Sequence, residues 1–336
     1  MLNQLKLKVK DVLLIGKDPQ YIDIEVGNLC NYNCSVCTTG SKRINREKCF
    51  LSKEKFIDIL SILKSEKVKS NIRINCIGEP FLNKDIYDII DILVSENNYY
   101  KEKILINTNA SLIDIERLSK YCDKLQLHIS LDSIKEDAYL AYRNTTSENF
   151  LRSIENIKEL SKISKYWIKL FTIVTKFNED HLEDIKKFAS DLGVQLFFTD
   201  FHCSPFGVKQ NMLPEGVSEK ANNVVRRFIT PEDYDAYIPR NLKNYDVYKF
   251  NEKLGLYETK VEQPITCSYV SKAWICADGT VLSCCLEAYY MTINFGNIFQ
   301  TRSFKDIWHS EKYTKFRRGL LNTKNSEHGA CRICSK

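Results

Sequence analysis

Apolar residues recur in two alternating patterns between positions 21 and 200 of the chain. Short runs rich in Ile, Leu and Val predict β-strands at 21–26, 71–77, 103–107, 124–131, 167–175 and 194–199. Longer amphipathic stretches predict helices between them, at 52–67, 84–96, 113–120, 147–162 and 178–192. Strands of this composition are typical of a parallel sheet covered by helices. The alternation therefore predicts the α/β class and a partial (β/α)6 TIM-like barrel, with its chemistry at the carboxyl ends of the strands.

The alternation stops near Phe201, which divides the chain into three predicted units. We expect residues 1–201 to form the barrel, 202–262 a connecting segment over its mouth, and 263–336 a small C-terminal unit. The connecting segment shows no clear period apart from a predicted helix at 218–228. In the C-terminal unit, two β-type runs around Asp278 and Gly279 predict a hairpin with a two-residue turn. An amphipathic helix is predicted from Ser303 to about Leu321.

Composition and charge exclude several classes of protein. The 336 residues are 43% hydrophobic and 27% charged, which is ordinary for a globular protein with a buried core. The net charge of +6 is spread over the chain and gives none of the concentrated basic patches of nucleic-acid binders. No run approaches the ~18 consecutive apolar residues of a membrane span, and the first residues do not read as a signal peptide. We therefore expect a cytoplasmic protein without nucleic-acid or membrane partners.

The chain has 13 cysteines, a high number for a reducing compartment in which structural disulfides are rare. Three of them, Cys30, Cys34 and Cys37, follow the first predicted strand with C-x3-C-x2-C spacing. Three thiolates on one loop can bind three corners of a 4Fe–4S cluster and leave the fourth iron open for a substrate or cofactor. Zinc sites usually close with four ligands, and no histidine is near. The spacing therefore predicts an iron–sulfur cluster at the barrel mouth.

Residues 25–37 resemble the cluster loop of the radical S-adenosylmethionine (SAM) superfamily, and the resemblance continues over about residues 20–200. The turn at 77–80 is similar to the family's GGEP turn, with Ile77 in place of the first glycine. Later strand ends carry 107–110 and 130–133, which resemble its Thr-Asn-Gly and Ser-Leu-Asp-Gly turns. The resemblance implies SAM as cofactor. It also implies SAM-binding positions at Tyr32, Gly78, Glu79, Pro80, Asn109, Ser130, Asp132, Arg143 and Val174.

A second group of thiols lies in the C-terminal unit, at Cys267, Cys285, Cys331 and Cys334. Four thiolates on one compact unit can form a closed site for zinc or for an iron–sulfur cluster, and the spacing does not choose between them. Residues 264–334 resemble the twitch form of the SPASM/twitch extension found behind many radical SAM barrels. The resemblance implies one auxiliary 4Fe–4S cluster on these cysteines. Cys284 competes with Cys285 for its position, and the 18-residue interval from Cys267 favours Cys285.

The resemblance implies a radical SAM oxidoreductase that cleaves SAM to a 5′-deoxyadenosyl radical and abstracts hydrogen from a substrate. We expect two-electron oxidation of a small sugar-like or cyclitol-like molecule, with flavodoxin or ferredoxin as electron donor. The alternatives are a peptide or protein maturase and a non-enzymatic zinc-binding interaction protein. Cys203 directly follows the last predicted barrel strand, and as a hydrogen donor to a substrate radical it would make the enzyme an epimerase.

Overall fold

The protein is described by a computed structural model. It describes residues 15–34, 37, 39–40, 46–96, 103–199, 228–229, 231–240, 248–253, 255–259, 267–285, 287–291 and 293–321. The predicted calls at Cys203, Cys331 and Cys334 lie outside these residues.

The predicted alternation of strands and helices in the first 200 residues is confirmed. The six strands are β1 (Tyr21–Glu25), β2 (Asn71–Asn75), β3 (Ile104–Thr108), β4 (Leu125–Ser130), β5 (Ile168–Ile173) and β6 (Gln195–Thr199). The helices are α1 (Lys53–Ser65), α2 (Ile86–Ser95), α3 (Ile115–Ser119), α4 (Glu136–Arg143), α5 (Ser147–Ile163) and α6 (Leu182–Leu192). The described residues also form three short 3₁₀ turns, at Pro80–Leu82, Glu179–His181 and Ser268–Ser271.

Helix α4 is the element of this region that the sequence analysis missed. Its first turn carries Glu136 and Asp137, its last turn carries Arg143, and Asn144 closes it in the left-handed conformation. Acidic residues at the start, a basic residue at the end and an Asn cap are all recognised helix signals. The helix is only eight residues long, and its periodicity is correspondingly weak.

The strands separate an apolar outer face from a polar inner face. Ile22 and Ile24 of β1, like Leu127 and Ile129 of β4, are buried in the main core with the helices. Because side chains alternate along a strand, the intervening residues lie on the inner face. The polar residues among them are Asp23, Arg73, Asn75, Asn107, Gln126, His128 and Lys169. Asn107 is exposed and His128 is half-buried, so the inner face around them borders open space rather than a packed core.

Two sheets build this wall, and the C-terminal unit contributes to one of them. The four-stranded sheet has the order β3-β4-β5-β6, and all of its pairs are parallel. The five-stranded sheet adds the strands β10 (Lys272–Ile275), β11 (Thr280–Leu282) and β12 (Gly296–Asn297), in the order β12-β11-β10-β1-β2. The sheets meet where β2 lies beside β3. The predicted hairpin at 274–282 is thus confirmed, but its first strand pairs in parallel with β1 and extends the barrel wall.

The connecting segment is more regular than its sequence indicates. It contains β7 (Phe228–Ile229), α7 (Pro231–Tyr237), β8 (Tyr248–Asn251) and β9 (Leu256–Thr259), and its strands form an antiparallel sheet ordered β7-β9-β8. The predicted helix at 218–228 is wrong at its last residue, Phe228, which begins β7; positions 218–227 are outside the described residues. Aromatic side chains pack on one another within this segment. Tyr234 of α7, for example, stacks on Tyr257 of β9 with the ring centroids 3.8 Å apart.

The other helices of the described residues lie in the C-terminal unit. They are α8 (Glu287–Tyr290), α9 (Ile298–Thr301), α10 (Phe304–Trp308) and α11 (Glu311–Leu321), so the single helix predicted from Ser303 is divided in two. The carboxylate of Glu66, directly after α1, accepts hydrogen bonds from the backbone N–H groups of Phe304 (2.9 Å) and Lys305 (3.0 Å). An acidic group at a helix start stabilises the unpaired N–H groups there, and here it comes from the barrel. No helix in the described part of the chain is long and apolar enough to cross a membrane.

A buried ion pair joins the barrel, the cysteine loop and the C-terminal unit. Arg46 donates two hydrogen bonds to Glu25, at 2.8 and 2.9 Å, and a third to the backbone oxygen of Ala288 at 3.0 Å. The backbone N–H of Ala277, at the hairpin turn, donates to the same carboxylate at 3.3 Å. The side chains of Arg46 and Glu25 are only 4% and 0% exposed, so water could not solvate either charge if the other were removed.

We expect Glu25→Gln to lower the free energy of unfolding by about 3–5 kcal/mol, because it leaves the Arg46 charge buried without its partner. Asp88→Asn is the matched control, since the Lys53–Asp88 pair is 43% and 42% exposed and is expected to contribute about 0–1 kcal/mol. Anaerobic denaturant unfolding of the cluster-loaded protein measures both variants. Equal losses in the two would show that the buried pair does not join the units.

Candidate active site

The cysteine loop begins at the carboxyl end of β1, as the barrel interpretation requires. Cys34 is buried, whereas Cys30 and Cys37 are half-buried. Burial raises the pKa of the Cys30 thiol to about 12 and also raises the pKa of Cys34. The charge of Cys37 contributes to the pKa of each of these thiols, so the three lie in one neighbourhood, although they do not converge on a single metal-ion position. Burial disfavours the thiolate forms of these cysteines, and a bound positive ion such as iron would offset that cost.

The loop is held from below by the turn that follows β2. The backbone N–H of Glu79 donates to the oxygen of Leu29 at 2.7 Å. A Cβ atom on residue 78 would overlap the backbone of Leu29, so only glycine permits this approach. Gly40 plays a similar part further along the loop, because a Cβ there would lie 2.7 Å from the backbone nitrogen of Cys34. The backbone of the loop is thus enclosed at two points, and this geometry fits a loop that has to present three thiols in fixed positions.

Glu79 is 1% exposed, and its carboxylate faces the next strand end. It accepts hydrogen bonds from the Thr108 hydroxyl at 2.6 Å and the backbone N–H of Asn109 at 2.8 Å. Burial raises the pKa of Glu79 to about 7, and these hydrogen bonds oppose the rise. The side chain therefore joins the exits of β2 and β3. Pro80, predicted beside it as a SAM-binding position, is buried at the start of the following 3₁₀ turn.

The turn after β3 also fastens the cysteine loop. The Asn109 amide donates to the side-chain oxygen of Asn31 at 2.9 Å, and Asn31 in turn donates to the Ser111 hydroxyl at 2.9 Å. The structure thus gives the predicted SAM-binding residue Asn109 contacts that position the loop. Tyr32, predicted for the same role, is 1% exposed, and its hydroxyl lies 2.9 Å from that of Ser153 on α5.

Asp132 and Arg143 form a buried ion pair at the mouth, between the ends of β4 and β5. The second carboxylate oxygen of Asp132 accepts the backbone N–H of Ile173 at 2.8 Å. Arg143 also faces Cys34, where its positive charge opposes the rise in the thiol pKa caused by burial. The Nε of Arg143 is buried and has no hydrogen-bond partner among the described residues. A charged donor beside the cysteine loop is thus available to an anionic group of a cofactor.

Ser130 and Val174 complete the predicted SAM positions. Ser130 ends β4 on the inner face and is half-buried, and Val174 directly follows β5 and is 6% exposed. Sequence reasoning did not identify Asn178 as part of the site, although its side-chain amide donates to the backbone oxygens of Asp132 (2.7 Å) and Ile173 (2.8 Å). Asn178 begins the predicted helix at 178–192 and is followed by Glu179 and Asp180, so the sequence indicates only a helix start.

The auxiliary thiols of the C-terminal unit lie against the barrel wall. Cys285 packs against an apolar cluster that includes Trp274 of β10 and Ile77 of the turn after β2. Tyr269 hydrogen-bonds Cys285 and also feels the charge of Cys284, so the contacts do not decide between these two cysteines. Cys267 is half-buried at the start of the same unit. Among the described residues, no three His, Cys, Asp or Glu side chains converge on one metal-ion position.

Tyr289 on α8 is a residue that the sequence analysis did not single out. The charges of both Cys37 and Cys285 contribute to raising its pKa, although burial is the larger cause. Its hydroxyl therefore lies near both the cysteine loop and the auxiliary thiols. Trp274 belongs to the same apolar cluster, and its indole Nε1 is buried without a hydrogen-bond partner among the described residues.

We expect Gly78→Ala to lower the free energy of unfolding by about 1–3 kcal/mol, because the added methyl group forces the turn away from Leu29. Gly255→Ala is the control: nothing lies within 4 Å of its Cβ position, and its positive φ alone costs about 1 kcal/mol. Anaerobic denaturant unfolding compares the two. A Gly78 variant no less stable than the Gly255 variant would contradict the close approach.

The raised pKa of Glu79 predicts a pH dependence of stability. Between an ordinary 4.5 and the folded value of about 7, the unfolded chain releases this proton and the folded chain keeps it. Glu79 therefore lowers the free energy of unfolding as the pH rises through this interval, by about 2–3 kcal/mol between pH 5 and pH 8. Glu79→Gln removes this contribution. The free energy of unfolding of the wild type minus that of the variant is therefore expected to fall by about 2–3 kcal/mol as the pH rises from 5 to 8. Glu183→Gln, at a side chain 84% exposed, is expected to give a flat difference, and a flat difference for Glu79→Gln would refute the assignment.

Comparison with known proteins agrees with this architecture. The profile of the Radical SAM superfamily matches residues 24–189, and that of the SPASM iron–sulfur cluster-binding domain matches residues 267–335. The tungsten-containing aldehyde ferredoxin oxidoreductase cofactor-modifying protein of Pyrococcus furiosus is 25% identical over 94% of this chain and 87% of its own length. The GTP 3',8-cyclase of Listeria welshimeri is 28% identical, but the match covers 55% of each chain.

Solved structures share the fold at low sequence identity. The complex of BtrN with AdoMet and 2-DOIA has a TM-score of 0.53 at 16% identity, over 95% of this chain and 94% of that one. SuiB of Streptococcus suis bound to S-adenosylmethionine has a TM-score of 0.59 at 17% identity, over 94% and 72%. Native anSMEcpe with bound AdoMet has a TM-score of 0.57 at 18% identity, over 94% and 86%.

The two matched domains imply SAM with a 4Fe–4S cluster in the barrel and an auxiliary iron–sulfur cluster behind it. The predicted family, cofactors and α/β fold are thereby confirmed. The chain belongs to the radical SAM superfamily and carries a C-terminal SPASM iron–sulfur cluster-binding domain.

Proposed function

We propose that the protein is a radical SAM oxidoreductase that removes two electrons from a small hydroxylated molecule such as a sugar or cyclitol. The observation that carries the proposal is the arrangement at the mouth, where the cysteine loop, the Gly78 turn and Arg143 meet within one set of strand ends. The proposal includes a cytoplasmic location, because 13 cysteines and iron–sulfur clusters require a reducing compartment. It also includes a flavodoxin or ferredoxin as electron donor.

In this proposal Cys30, Cys34 and Cys37 bind the cluster that carries SAM. When the cluster and SAM are both bound, they would supply a 5′-deoxyadenosyl radical able to remove a hydrogen atom from an unactivated C–H bond. Arg143 binds the SAM carboxylate through its unpaired Nε, and Asp132 holds the guanidinium in place. Gly78 lets its turn approach the backbone of the cysteine loop beside the SAM position, and Ser130 and Val174 would contact the nucleoside part of SAM.

Cys267, Cys285, Cys331 and Cys334 bind the auxiliary cluster in the same proposal. Cys285 packs against the apolar cluster that includes Trp274 of the barrel wall, so the auxiliary cluster would lie against the wall rather than apart from it. A redox centre in that position suits net oxidation, because the substrate radical still has one electron to lose. Hydrogen donation by Cys203 would instead give epimerisation, and this role stays a prediction.

A peptide or protein maturase is the second candidate, and the connecting segment favours it. Within the described residues β8 is an outer strand of the small sheet, and an extended peptide can add to such an edge. Two of the neighbours in fold, SuiB with its precursor peptide SuiA and anSMEcpe with Cp18Cys peptide, are complexes with peptides. Release of 5′-deoxyadenosine with a panel of cyclitols, sugars and peptides separates the candidates: stimulation by peptides alone would favour the maturase.

Anaerobic iron and sulfide analysis of the purified protein tests the metal assignment. Two 4Fe–4S clusters give about eight irons per chain, and a lone barrel cluster gives about four. Replacing Cys30, Cys34 and Cys37 together by Ala is expected to remove about four irons and all SAM cleavage, because the auxiliary cluster keeps its own ligands. Zinc in place of iron would support the interaction protein, and continued 5′-deoxyadenosine release by the triple variant would overturn the proposed function.

A further inference from the structure

One layer of the inner barrel face presents a pair of neutral polar side chains. Asn107 of β3 and His128 of β4 are partners in register, so they lie on neighbouring strands about 5 Å apart. Asn107 is exposed and His128 is half-buried, so both border the open space inside the wall. Neither side chain is hydrogen-bonded to another of the described residues. The pair therefore offers donors and acceptors to a molecule inside the barrel.

Aromatic side chains hold the His128 imidazole in place. The centre of its ring lies 4.5 Å from that of Phe171 on β5. Phe171 in turn stacks on Phe197 of β6, with the ring centres 5.1 Å apart and the planes inclined by 17°. The three rings thus form a continuous row across three strands, and Phe197 at its end is 40% exposed. Small-molecule sites typically combine an apolar wall of this kind with a few polar groups held in fixed positions.

The imidazole of His128 is uncharged at physiological pH. Burial, and the charge of Lys169 beside it in register, lower the pKa of His128 to about 4. A neutral imidazole has one N–H donor and one acceptor nitrogen, and a carboxamide such as that of Asn107 also has both. A hydroxyl group can likewise donate and accept, whereas a phosphate or carboxylate anion can only accept. The pair therefore matches hydroxyl groups better than it matches an anion.

The layer lies one step below the barrel mouth. Ser130, proposed above to contact the nucleoside part of SAM, follows His128 by two residues on the same face of β4. Two residues of a strand span about 7 Å. One layer further down, the side-chain nitrogen of Gln126 is buried, so the open space beside β4 ends there. A molecule at the level of His128 is thus confined between this floor and the SAM position.

We propose that Asn107 and His128 bind hydroxyl groups of the substrate, and that Phe171 and Phe197 form the apolar side of the same site. The inference rests on the proposed function, because it uses the position proposed there for SAM. It specifies the substrate as a hydroxylated ring that also has C–H groups free to pack on an apolar wall. Hydroxyl groups at one edge contact the amide and the imidazole, while the opposite edge lies toward SAM at the mouth.

Anaerobic calorimetry on the cluster-loaded enzyme tests the site. SAM is saturating and no reductant is present, so SAM is not cleaved during the titration. The probes are myo-inositol, glucose and cyclohexanol, the last of which is a ring of similar size with a single hydroxyl group. We expect at least one of the two polyols to bind, and to bind more tightly than cyclohexanol. Binding of neither polyol, or binding no tighter than that of cyclohexanol, would overturn the inference.

A pair of matched substitutions tests the role of the imidazole. His128→Phe keeps an aromatic ring beside Phe171 and removes both ring nitrogens, so it is expected to raise the Kd of the bound polyol about tenfold. His309→Phe is the control, because His309 is exposed directly after α10, and it is expected to change the Kd less than about twofold. Equal changes in the two variants would refute the assignment of His128.

Two further variants separate hydrogen bonding from a structural effect. His128→Gln retains a donor and an acceptor, and we expect it to bind the polyol more tightly than His128→Phe does. Asn107→Leu removes the amide at an exposed position outside the core, and it is expected to raise the Kd about threefold or more. Wild-type affinity in Asn107→Leu, or no advantage of His128→Gln over His128→Phe, would contradict the site.

Iron content and the Kd for SAM are measured for each variant alongside. A weakened affinity for SAM in every His128 and Asn107 variant would show that the layer acts on the cofactor, and would overturn its assignment to the substrate. Cleavage of SAM by the reduced wild type tests the proposed function separately. Polyol binding that does not depend on His128, with SAM cleavage intact in the wild type, defeats this site alone. An absence of SAM cleavage in the wild type defeats the proposed function.

Discussion

The carboxylate of Glu79 is the contact on which the barrel mouth depends. Its own backbone N–H is bonded to Leu29 of the cysteine loop, while its side-chain oxygens accept from the turn after β3. Three successive strand ends are therefore fixed to one buried residue. The cost is a carboxylate held away from water, which is why its pKa is raised to about 7. Gly78 must approach Leu29 closely for these bonds to form, so the structural role of Glu79 depends on the glycine that precedes it.

The parallel pairing of β10 with β1 has a similar consequence on the opposite side of the barrel. It makes the SPASM domain part of the wall, so the auxiliary thiols and the cysteine loop are attached to strands of one sheet. Tyr289 and Cys285 pack against one apolar cluster that includes Trp274, and the Glu25–Arg46 pair joins the cysteine loop to the same sheet. The C-terminal unit is therefore attached to the barrel by backbone pairing, by apolar packing and by a buried ion pair.

The sequence predicts the barrel strands well because each is a short apolar run bounded by helices of clear period. It predicts the cysteine loop because ligand chemistry fixes those residue types at short spacing, whereas the turn at 77–80 is identified by its resemblance to the family's GGEP turn. It does not predict which strand β10 joins, since the partner β1 is some 250 residues away and pairing leaves no local pattern. Side-chain direction was equally hidden: Asn109 and Tyr32 match the family pattern, yet their polar groups bond other parts of the protein.

The polarity of the inner face bears on the substrate more directly than the fold does, because one fold supports many reactions. Nearer the mouth the wall offers neutral donors and acceptors, Asn75, Asn107 and the uncharged His128, which suit hydroxyl groups. Toward the amino end it offers Lys103 and Lys272. A molecule with hydroxyl groups of its own can hydrogen-bond to such a wall, whereas an apolar one would bury the polar groups of the wall without replacing the water they lose. This difference is the physical reason for proposing a small hydroxylated substrate.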